Sequence, residues 1–532
     1  MSKLQFLKKN TNQALGLAEY AKAFLNSNIV LDPLVVERVK LFHTDAVVCG
    51  ISALSLKTNA PTVLRNEALT HYTTNPSSQF KSKVFGSNQW VSVEKAIVAN
   101  NSAVREWDSN GTVFGYNKDL PGHQAGEFGH NDFYAVSLAA AHSNTKLTGK
   151  DVLRGMLLVD EIRGRLAEVF SLKTYKIDHV VHGAIATAVT YGAMLGATSE
   201  EIESAIGMTV AHYIPWRAIR AGHQLSDSKG ASAAISSEAA IMSMRRAMSG
   251  FQGPKDIFRN PESIFRYFEK TQGDSPFDIA LSNDSQSFAV MDMHFKLGLY
   301  EHQSAGAIHG IILLIKQLDE LLTNDGINNI TDITITAYEP AYGIIGDPAK
   351  RTPKTRQSAD HSMVFIISRL LKKAFEKRDV IRTKLSDNNA LWKELILTPM
   401  DYSYEALQCE ITKSLMNKIK FKHGGRDFDS KYPEGIPTQV DIRLGNNKSA
   451  SSNLVMFPPG HARNTECDLK GILQNKNKTL LQLCKYSDSE ISSTLSKLNN
   501  LENLSNSELT DLYNIELKVT PHSIDSEKFH LI

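Results

Sequence analysis

Residues 182–213 are rich in alanine, glycine and threonine, and this segment constrains the fold more than any other part of the chain. Small side chains let neighbouring helices approach closely, so the segment predicts a buried helix pair inside a large bundle. Thr198 and Glu201 have the spacing of a capping box, which predicts that the second helix begins at about Glu200. Apolar residues three and four positions apart also predict helices at 14–26 and 33–56.

The pattern changes near residue 285. Alternating apolar residues predict a strand at 333–337 and a hairpin around the turn at 445–448. Predicted helices lie among these strands at 303–322 and 361–377. Residues 287–458 are therefore expected to form a smaller α+β domain. The leucine-rich segment from residue 468 is expected to be helical and to pack back on the first part of the chain.

The bulk composition excludes several classes of function. A formal net charge of +2 without clustered basic residues argues against nucleic-acid and membrane-surface partners. No apolar run approaches the roughly 20 residues that span a bilayer, and no signal peptide is evident. We expect a cytoplasmic protein, with the mitochondrial matrix as the alternative. Mixed charge suits a small-molecule enzyme, but it also suits most other soluble proteins.

The four cysteines, Cys49, Cys409, Cys467 and Cys484, have no C-x-x-C spacing. We expect free thiols in a reducing compartment, and neither a disulfide framework nor a zinc or iron–sulfur site. The spacing alone leaves open a cluster gathered from distant positions.

Two loops carry polar groups among glycines. The first holds Asp108, for which an Asx-turn that caps the next helix is the structural alternative to a catalytic role. The second, at 121–134, holds the possible metal ligands His123, Glu127, His130 and Asp132. Its glycines argue against the helix that an H-E-x-x-H site needs, and a plain surface loop is the alternative.

Two further segments carry histidine or cationic residues. His179 precedes the small-residue helix, and taken alone it suits a structural histidine better than a catalyst. Arg217, Arg220, His223 and Lys229 precede another small-residue helix, an arrangement suited to carboxylate or phosphate. The G-x-x-x-x-G-K spacing of a phosphate loop is absent, which argues against ATP binding. A solvated basic connector is the alternative.

Together these stretches resemble the MmgE/PrpD family, whose members include 2-methylcitrate dehydratase and cis-aconitate decarboxylase. The likeness covers most of the chain, and the motifs that carry it lie at 105–112, 176–183, 217–229, 300–304, 359–362 and 458–463. The resemblance implies a mainly α fold, with a large all-helical domain formed from both chain ends (1–286 and 459–532). A smaller α+β lid domain (287–458) is inserted between them. It also implies a homodimer that uses no metal and no cofactor on a small polycarboxylate.

The resemblance further implies a role for each matching residue. The catalytic group is Asp108, His130, His179 and His302, with His130 placed to exchange a proton with a substrate carbon. The substrate-binding group is Thr112, Arg217, Arg220, Lys229 and His361, with Lys229 holding a substrate carboxylate.

Three departures from the family pattern stand out. The loop at 116–129 is longer than in the dehydratases, His130 is followed by Asn-Asp instead of Pro-Gly, and Phe365 stands where a tyrosine is common. We expect a metal-independent hydro-lyase acting on 2-methylcitrate, as in propionate metabolism and the methylcitrate cycle. The alternatives are cis-aconitate decarboxylation, an isomerase or epimerase of the same superfamily, and a catalytically silent binding paralogue.

Overall fold

The computed structural model describes residues 4–74, 79–220, 224–283 and 285–530. Helices make up 55% of the chain and strands 9%, which confirms the prediction of a mainly helical protein. The helices are α1 (Gln13–Asn26), α2 (Pro33–Ser55), α3 (Asn59–Thr70), α4 (Val93–Arg105), α5 (Ala135–Ser143), α6 (Gly149–Val169), α7 (Val180–Met194), α8 (Ser199–His212), α9 (Asp227–Met248), α10 (Ile264–Phe268), α11 (Ala305–Gln317), α12 (Gly326–Asn329), α13 (Arg356–Ala359), α14 (Met363–Glu376), α15 (Arg378–Arg382), α16 (Asn388–Leu395), α17 (Tyr404–Gln408), α18 (Glu410–Lys418), α19 (Arg426–Asp429), α20 (Leu469–Leu483), α21 (Asp488–Asn499) and α22 (Asn506–Thr510). The strands are β1 (Leu4–Leu7), β2 (Lys81–Lys83), β3 (Trp90–Ser92), β4 (Thr112–Phe114), β5 (Phe128–His130), β6 (Ile279–Ser282), β7 (Ile330–Ala337), β8 (Ile419–His423), β9 (Thr438–Leu444) and β10 (Ser449–Ser451).

Helix α7 is central to the helical part, because it packs against α6, α8 and α9 and is buried along almost its whole length. A Cβ added at Gly183 would lie 1.9 Å from the Phe133 ring, so only glycine lets that ring sit against the helix. The predicted capping box is present: Glu201 N–H donates to Thr198 Oγ1 at 3.1 Å, and Thr198 N–H donates to the Glu201 carboxylate at 2.7 Å. The helix pair predicted at 182–213 is therefore confirmed.

The second half of the chain contains a four-stranded sheet with the order β10-β9-β7-β8. Strand β7 runs antiparallel to β9 and parallel to β8. Strands β9 and β10 form the predicted hairpin, and β7 covers the strand predicted at 333–337. Helices α11 and α14 lie where helices were predicted, and both are largely buried.

The first half is less purely helical than the sequence predicts. Short strands pair as β2-β3 and β4-β5, and β1 at the beginning of the chain pairs with β6. These strands are three or four residues long, too short for an alternating pattern to be distinguished from a loop. The prediction missed them, and the β4-β5 hairpin proves to be part of the candidate site.

The C-terminal segment returns to the first part of the chain, as predicted. Helix α20 packs against α2, and α21 also contacts α2. The leucines that predicted helices in this segment are buried. The division into two domains stays a prediction. In the described part of the chain no single helix is long and apolar enough to cross a membrane, whereas the bent pair α2 and α3 passes that test together by length and composition.

Candidate functional site

A narrow cavity lies where the first part of the chain meets the segment that follows residue 286. From the first part it is lined by Thr112, Phe114, Phe128, His130, His179, Arg217 and Arg220. From the later segment it is lined by Glu301, Gln303, Ile344, Ile345, Lys350 and His361. Six of the nine predicted site residues thus share one cavity. A larger groove of about 550 Å³ lies among α2, α20 and α21, but its lining contains no histidine and none of the predicted residues.

Thr112 and His130 are neighbours because the β4-β5 hairpin pairs them directly. Thr112 Oγ1 donates to the Gly129 carbonyl at 2.7 Å, which ties the two strands together beside the cavity. Gly115 lets the hairpin lie against α6, since a Cβ there would be 1.9 Å from the carbonyl oxygen of Ala167. The hairpin fixes the His130 ring in the cavity wall. Its buried Nδ1 has no hydrogen-bond partner among the described residues.

His179 stands at the beginning of α7, beside the turn that carries the two arginines. The Asp178 N–H donates to the Pro215 carbonyl at 3.0 Å and so joins the two segments. The Asp178 carboxylate binds the Arg220 guanidinium through both oxygens, one of them 3.2 Å from Nη2. Arg217 has no carboxylate within ion-pair distance in the described part of the chain. Of the two arginines, Arg217 is therefore the one whose charge is free for a ligand.

The rings of His130 and His179 meet edge to face, with centroids 5.2 Å apart and an interplanar angle of 62°. Burial lowers the pKa of His130 well below its ordinary value, and nearby cations lower that pKa further. Burial also lowers the pKa of His179 well below its usual range, although Asp178 acts in the opposite direction. Both rings are neutral at pH 7 and keep a lone pair. A carboxylate bound nearby would raise both pKa values and make the rings better bases.

Asp108 follows α4 in the left-handed backbone region, with φ of 49°. Its buried carboxylate contacts the Arg105 guanidinium and the Lys296 ammonium group, and Lys229 Nζ lies 3.7 Å from Oδ2. Burial raises the pKa of Asp108, but these cations outweigh burial and hold it well below its ordinary value. The Asp108 carboxylate is therefore ionised and holds the neighbouring cations in place. It carries no proton that it could donate.

Lys229 lies behind His361 and does not line the cavity. Lys229 Nζ donates to Asp360 Oδ1 at 3.0 Å, and His361 Nδ1 is 2.6 Å from the same oxygen. His361 Nδ1 is also 3.2 Å from Asp108 Oδ2, so one network connects both carboxylates to the cavity wall. Burial lowers the pKa of His361 to about 3, and Lys229 contributes to that shift.

His302 does not line the cavity with His130 and His179. Its ring stacks on His294 with centroids 5.3 Å apart and lies 5.5 Å from the Phe114 ring. The His294 ring in turn lies 4.1 Å from that of His461. Neither ring nitrogen of His302 has a hydrogen-bond partner among the described residues. His302 therefore belongs to a buried histidine cluster beside Phe114 and is absent from the cavity lining.

Two groups of side chains could be considered as metal ligands. Asp108, Asp360 and His361 bring ligand atoms within 4.8 Å of one another. Four lysine or arginine side chains already pair with these two carboxylates, so a metal ion would have to displace ammonium or guanidinium groups. The ligand set suggested by the 121–134 loop is dispersed, because His123 Nδ1 pairs with Glu168 Oε2 at 3.0 Å.

Comparison with known proteins identifies the domain to which the first half of the chain belongs. Residues 16–275 match the family model of the MmgE/PrpD N-terminal domain. The chain carries an MmgE/PrpD N-terminal domain. The predicted resemblance is confirmed, and seven of the nine predicted site residues lie inside the matched range.

Two similar proteins are named as dehydratases. The chain is 25% identical over 242 residues to "Alkylcitrate dehydratase phiI" of Fungal sp. (strain ATCC 74256), which covers 44% of this chain and 46% of that protein. It is 23% identical over 330 residues to "2-methylcitrate dehydratase" of Escherichia coli (strain K12), which covers 61% of this chain and 62% of that protein. The chain thus aligns with less than half of the first relative and with less than two thirds of the second.

The departures from the MmgE/PrpD pattern have clear positions. Phe365 is buried with its ring centroid 5.8 Å from that of Tyr402, and it does not line the cavity. The loop at 116–129 is anchored, because the Gly126 carbonyl accepts a hydrogen bond from the Tyr432 hydroxyl at 3.0 Å. The replacement of tyrosine by phenylalanine at position 365 therefore affects packing in the core. It does not change the residues that line the cavity.

Sequence reasoning missed four charged or amide side chains around the candidate site. Glu301 and Gln303 lie inside the motif at 300–304, so the sequence indicated their position but not their role. Lys296 and Lys350 belong to no motif, and only the fold brings them to the site. Burial lowers the pKa of Lys350, and in the described part of the chain no carboxylate lies within ion-pair distance of its Nζ. His223, predicted as part of the cationic group, lies outside the described residues.

Proposed function

We propose that this chain is a hydro-lyase that dehydrates 2-methylcitrate or a related citrate-like hydroxy acid. The observation that carries the proposal is the pair of neutral histidines, His130 and His179, in a cavity that also holds the free cations Arg217 and Lys350. The names of the two dehydratase relatives support the substrate class.

Substrate binding would use the two free cations. Burial lowers the pKa values of both Arg217 and Lys350, which shows that each is held in surroundings that disfavour its charge. A substrate carboxylate would relieve that cost, because an ion pair away from bulk water is stronger than one at the surface. Arg217 can bind a carboxylate through two parallel N–H groups, whereas Lys350 acts as a point charge. The proposal assigns two carboxylates of the substrate to these residues.

Dehydration begins with removal of a carbon-bound proton next to a carboxylate. We assign this step to His130, with His179 beside it as the second histidine of the pair. Negative charge that develops on the substrate would be stabilised by Arg217 and Lys350 through their fixed positive charges. The buried network of Asp108, Asp360 and Lys229 would keep His361 in place on the opposite part of the lining.

The direct test is incubation of the purified protein with 2-methylcitrate, citrate and cis-aconitate, followed by proton NMR. We expect vinyl or allylic proton signals of an unsaturated acid from one of the hydroxy acids, with and without a chelator. Loss of carbon dioxide from cis-aconitate without any dehydration would overturn the hydro-lyase proposal in favour of a decarboxylase. Calorimetric binding of all three acids without any product would instead support a silent paralogue.

The site assignment is tested by His130→Gln. We expect turnover to fall by about 100-fold to 10,000-fold, the usual contribution of a positioned acid–base group. The matched control is His212→Gln, since His212 is an exposed histidine at the end of α8, and it should keep normal turnover. If the two variants have the same turnover, the assignment of His130 is wrong.

A further inference from the structure

Glu301 places a carboxyl group in the cavity wall, and neither the predicted roles nor the proposed substrate contacts use it. Its Oε2 accepts the Gln303 N–H at 2.8 Å, which orients the carboxyl group. The other oxygen has no hydrogen-bond partner in the described part of the chain. The Glu301 N–H donates to the Asp360 carbonyl at 3.0 Å, so the backbone here is tied to the buried network. The free oxygen is therefore available to a ligand in the cavity.

We propose that Glu301 is the general acid that protonates the hydroxyl group as it leaves the substrate. This inference rests on the proposed hydro-lyase function. In the step, the substrate C–H bond breaks and its proton passes to His130. The C–O bond breaks while the Glu301 proton passes to the oxygen, a carbon–carbon double bond forms and water departs. Glu301 is left as a carboxylate, and it regains a proton from solvent while His130 releases one.

The reaction needs an acid that is protonated near pH 7, because hydroxide is a poor leaving group. Burial raises the pKa of Glu301 to about 7, and Asp108 raises it as well, against the opposing effects of Lys296 and Lys350. The other candidates fail for electrostatic reasons. Asp108 is held ionised by its cations, and burial keeps His130 and the other described cavity histidines neutral.

The surroundings of Glu301 suit both of its charge states. The titratable groups that interact with it are Asp108, Lys296, Lys350, Tyr338 and Tyr432. Before the reaction the neutral carboxyl group does not repel a substrate that carries several carboxylates. After proton transfer the new Glu301 carboxylate is stabilised by Lys350, which lines the same cavity. A residue with this behaviour is what acid catalysis by a carboxyl group at neutral pH requires.

The test compares two leaving groups in the Glu301→Gln variant. We expect dehydration of 2-methylcitrate to fall by about 100-fold or more, with KM changed by less than about threefold. An analogue with fluorine in place of the hydroxyl group should be processed within about threefold of the normal rate, because fluoride leaves without needing a full proton. Gln303→Asn is the matched control in the same wall, and it should affect both substrates equally.

The pH profile is a second measurement. In the normal protein kcat should fall as pH rises above about 7, because the acid loses its proton. The residual activity of Glu301→Gln should lack this decline, and Glu301→Asp should keep it at a lower rate.

The outcomes separate the two proposals. If Glu301→Gln dehydrates 2-methylcitrate normally, or if it loses both substrates equally, Glu301 is not the acid while the hydro-lyase function stands. If the normal protein dehydrates none of the hydroxy acids, the proposed function fails, and the assignment of Glu301 fails with it. Turnover of the fluoro analogue by the variant also shows that the variant is folded.

Discussion

Replacing Lys476 with methionine tests how one buried ammonium group holds the candidate site together. Lys476 lies on α20 with its side chain fully buried. Its Nζ donates to the Ser109 carbonyl at 2.6 Å and to the Lys296 carbonyl at 2.9 Å, and it lies 2.8 Å from Asp45 Oδ1. Ser109 follows Asp108 in the chain, and Lys296 is the partner of Asp108. Lys476, from the C-terminal segment, thus holds the backbone next to Asp108 and the backbone of Lys296. These two residues form a buried ion pair.

The loss of stability expected for Lys476→Met comes from the buried groups that lose their cationic partner. Burial raises the pKa of Asp45 and Lys476 opposes that effect, so removing the cation raises that pKa further. Removing one partner of a buried ion pair costs about 3–5 kcal/mol, because the other charge stays buried without compensation. Two carbonyl acceptors that lose a donor add about 1 kcal/mol each. We expect the free energy of unfolding to fall by about 5–7 kcal/mol at pH 7.

The stability loss of Lys476→Met depends on pH through Asp45. In the variant the folded-state pKa of Asp45 lies above its unfolded value, so stability is lost as pH rises through that range. The loss caused by Lys476→Met should therefore be smaller at pH 5 than at pH 7.

Urea unfolding at pH 5 and pH 7 measures both quantities. The matched control is Lys470→Met on the same helix, because Lys470 is 62% exposed and its pair with Glu37 at 2.7 Å lies at the surface. That control should cost less than about 1 kcal/mol. The double variant Lys476→Met/Asp45→Asn should recover most of the Asp45 contribution. The reasoning is refuted if Lys476→Met costs no more than Lys470→Met, or if its cost is the same at both pH values.

Three further predictions concern buried residues outside the proposed chemistry. Burial lowers the pKa of His43 to about 3, below its unfolded value, so its contribution to stability is present above pH 6.5 and lost as pH falls. The stability difference between the normal protein and His43→Gln, measured in urea, should therefore shift against the normal protein by about 1.4 kcal/mol per pH unit below 6.5. Gly183→Ala should lower the free energy of unfolding by about 1–3 kcal/mol, seen by calorimetry, because its Cβ would overlap the Phe133 ring; an unchanged Tm would contradict this packing. Phe365→Tyr should leave kcat/KM within about twofold in a steady-state assay, because this ring packs on Tyr402 outside the cavity lining. A larger change would place position 365 in the site after all.

The long helices and the sheet of the second half were predictable because local patterns specify them. The capping box at Thr198 depends on residues three positions apart, and the β9-β10 hairpin depends on alternation around one turn. The β4-β5 hairpin was not predictable in this way. Its three-residue strands are held by pairing with each other and by contact with α6, and Gly115 reveals that contact only once the neighbour is known.

The residue types of the candidate site could also be read from the chain. The motifs around Asp108, His130 and His179 indicated the family, and the matched domain at 16–275 confirmed it. The two arginines of the predicted cationic segment show the limit of what the sequence reveals. Arg217 and Arg220 are indistinguishable in sequence, yet Asp178 neutralises only Arg220.

The charge states at the site were decided by tertiary structure alone. A pKa depends on burial and on charges nearby in space, and neither is encoded in sequence spacing. Folding therefore keeps Asp108 ionised, raises the pKa of Glu301 to about 7 and leaves the pKa of His130 low. It also moves His302 out of the cavity lining, although its neighbours Glu301 and Gln303 remain there. The chain sequence supplies the chemical groups, whereas distances across the fold decide which of them can hold a proton or bind a carboxylate.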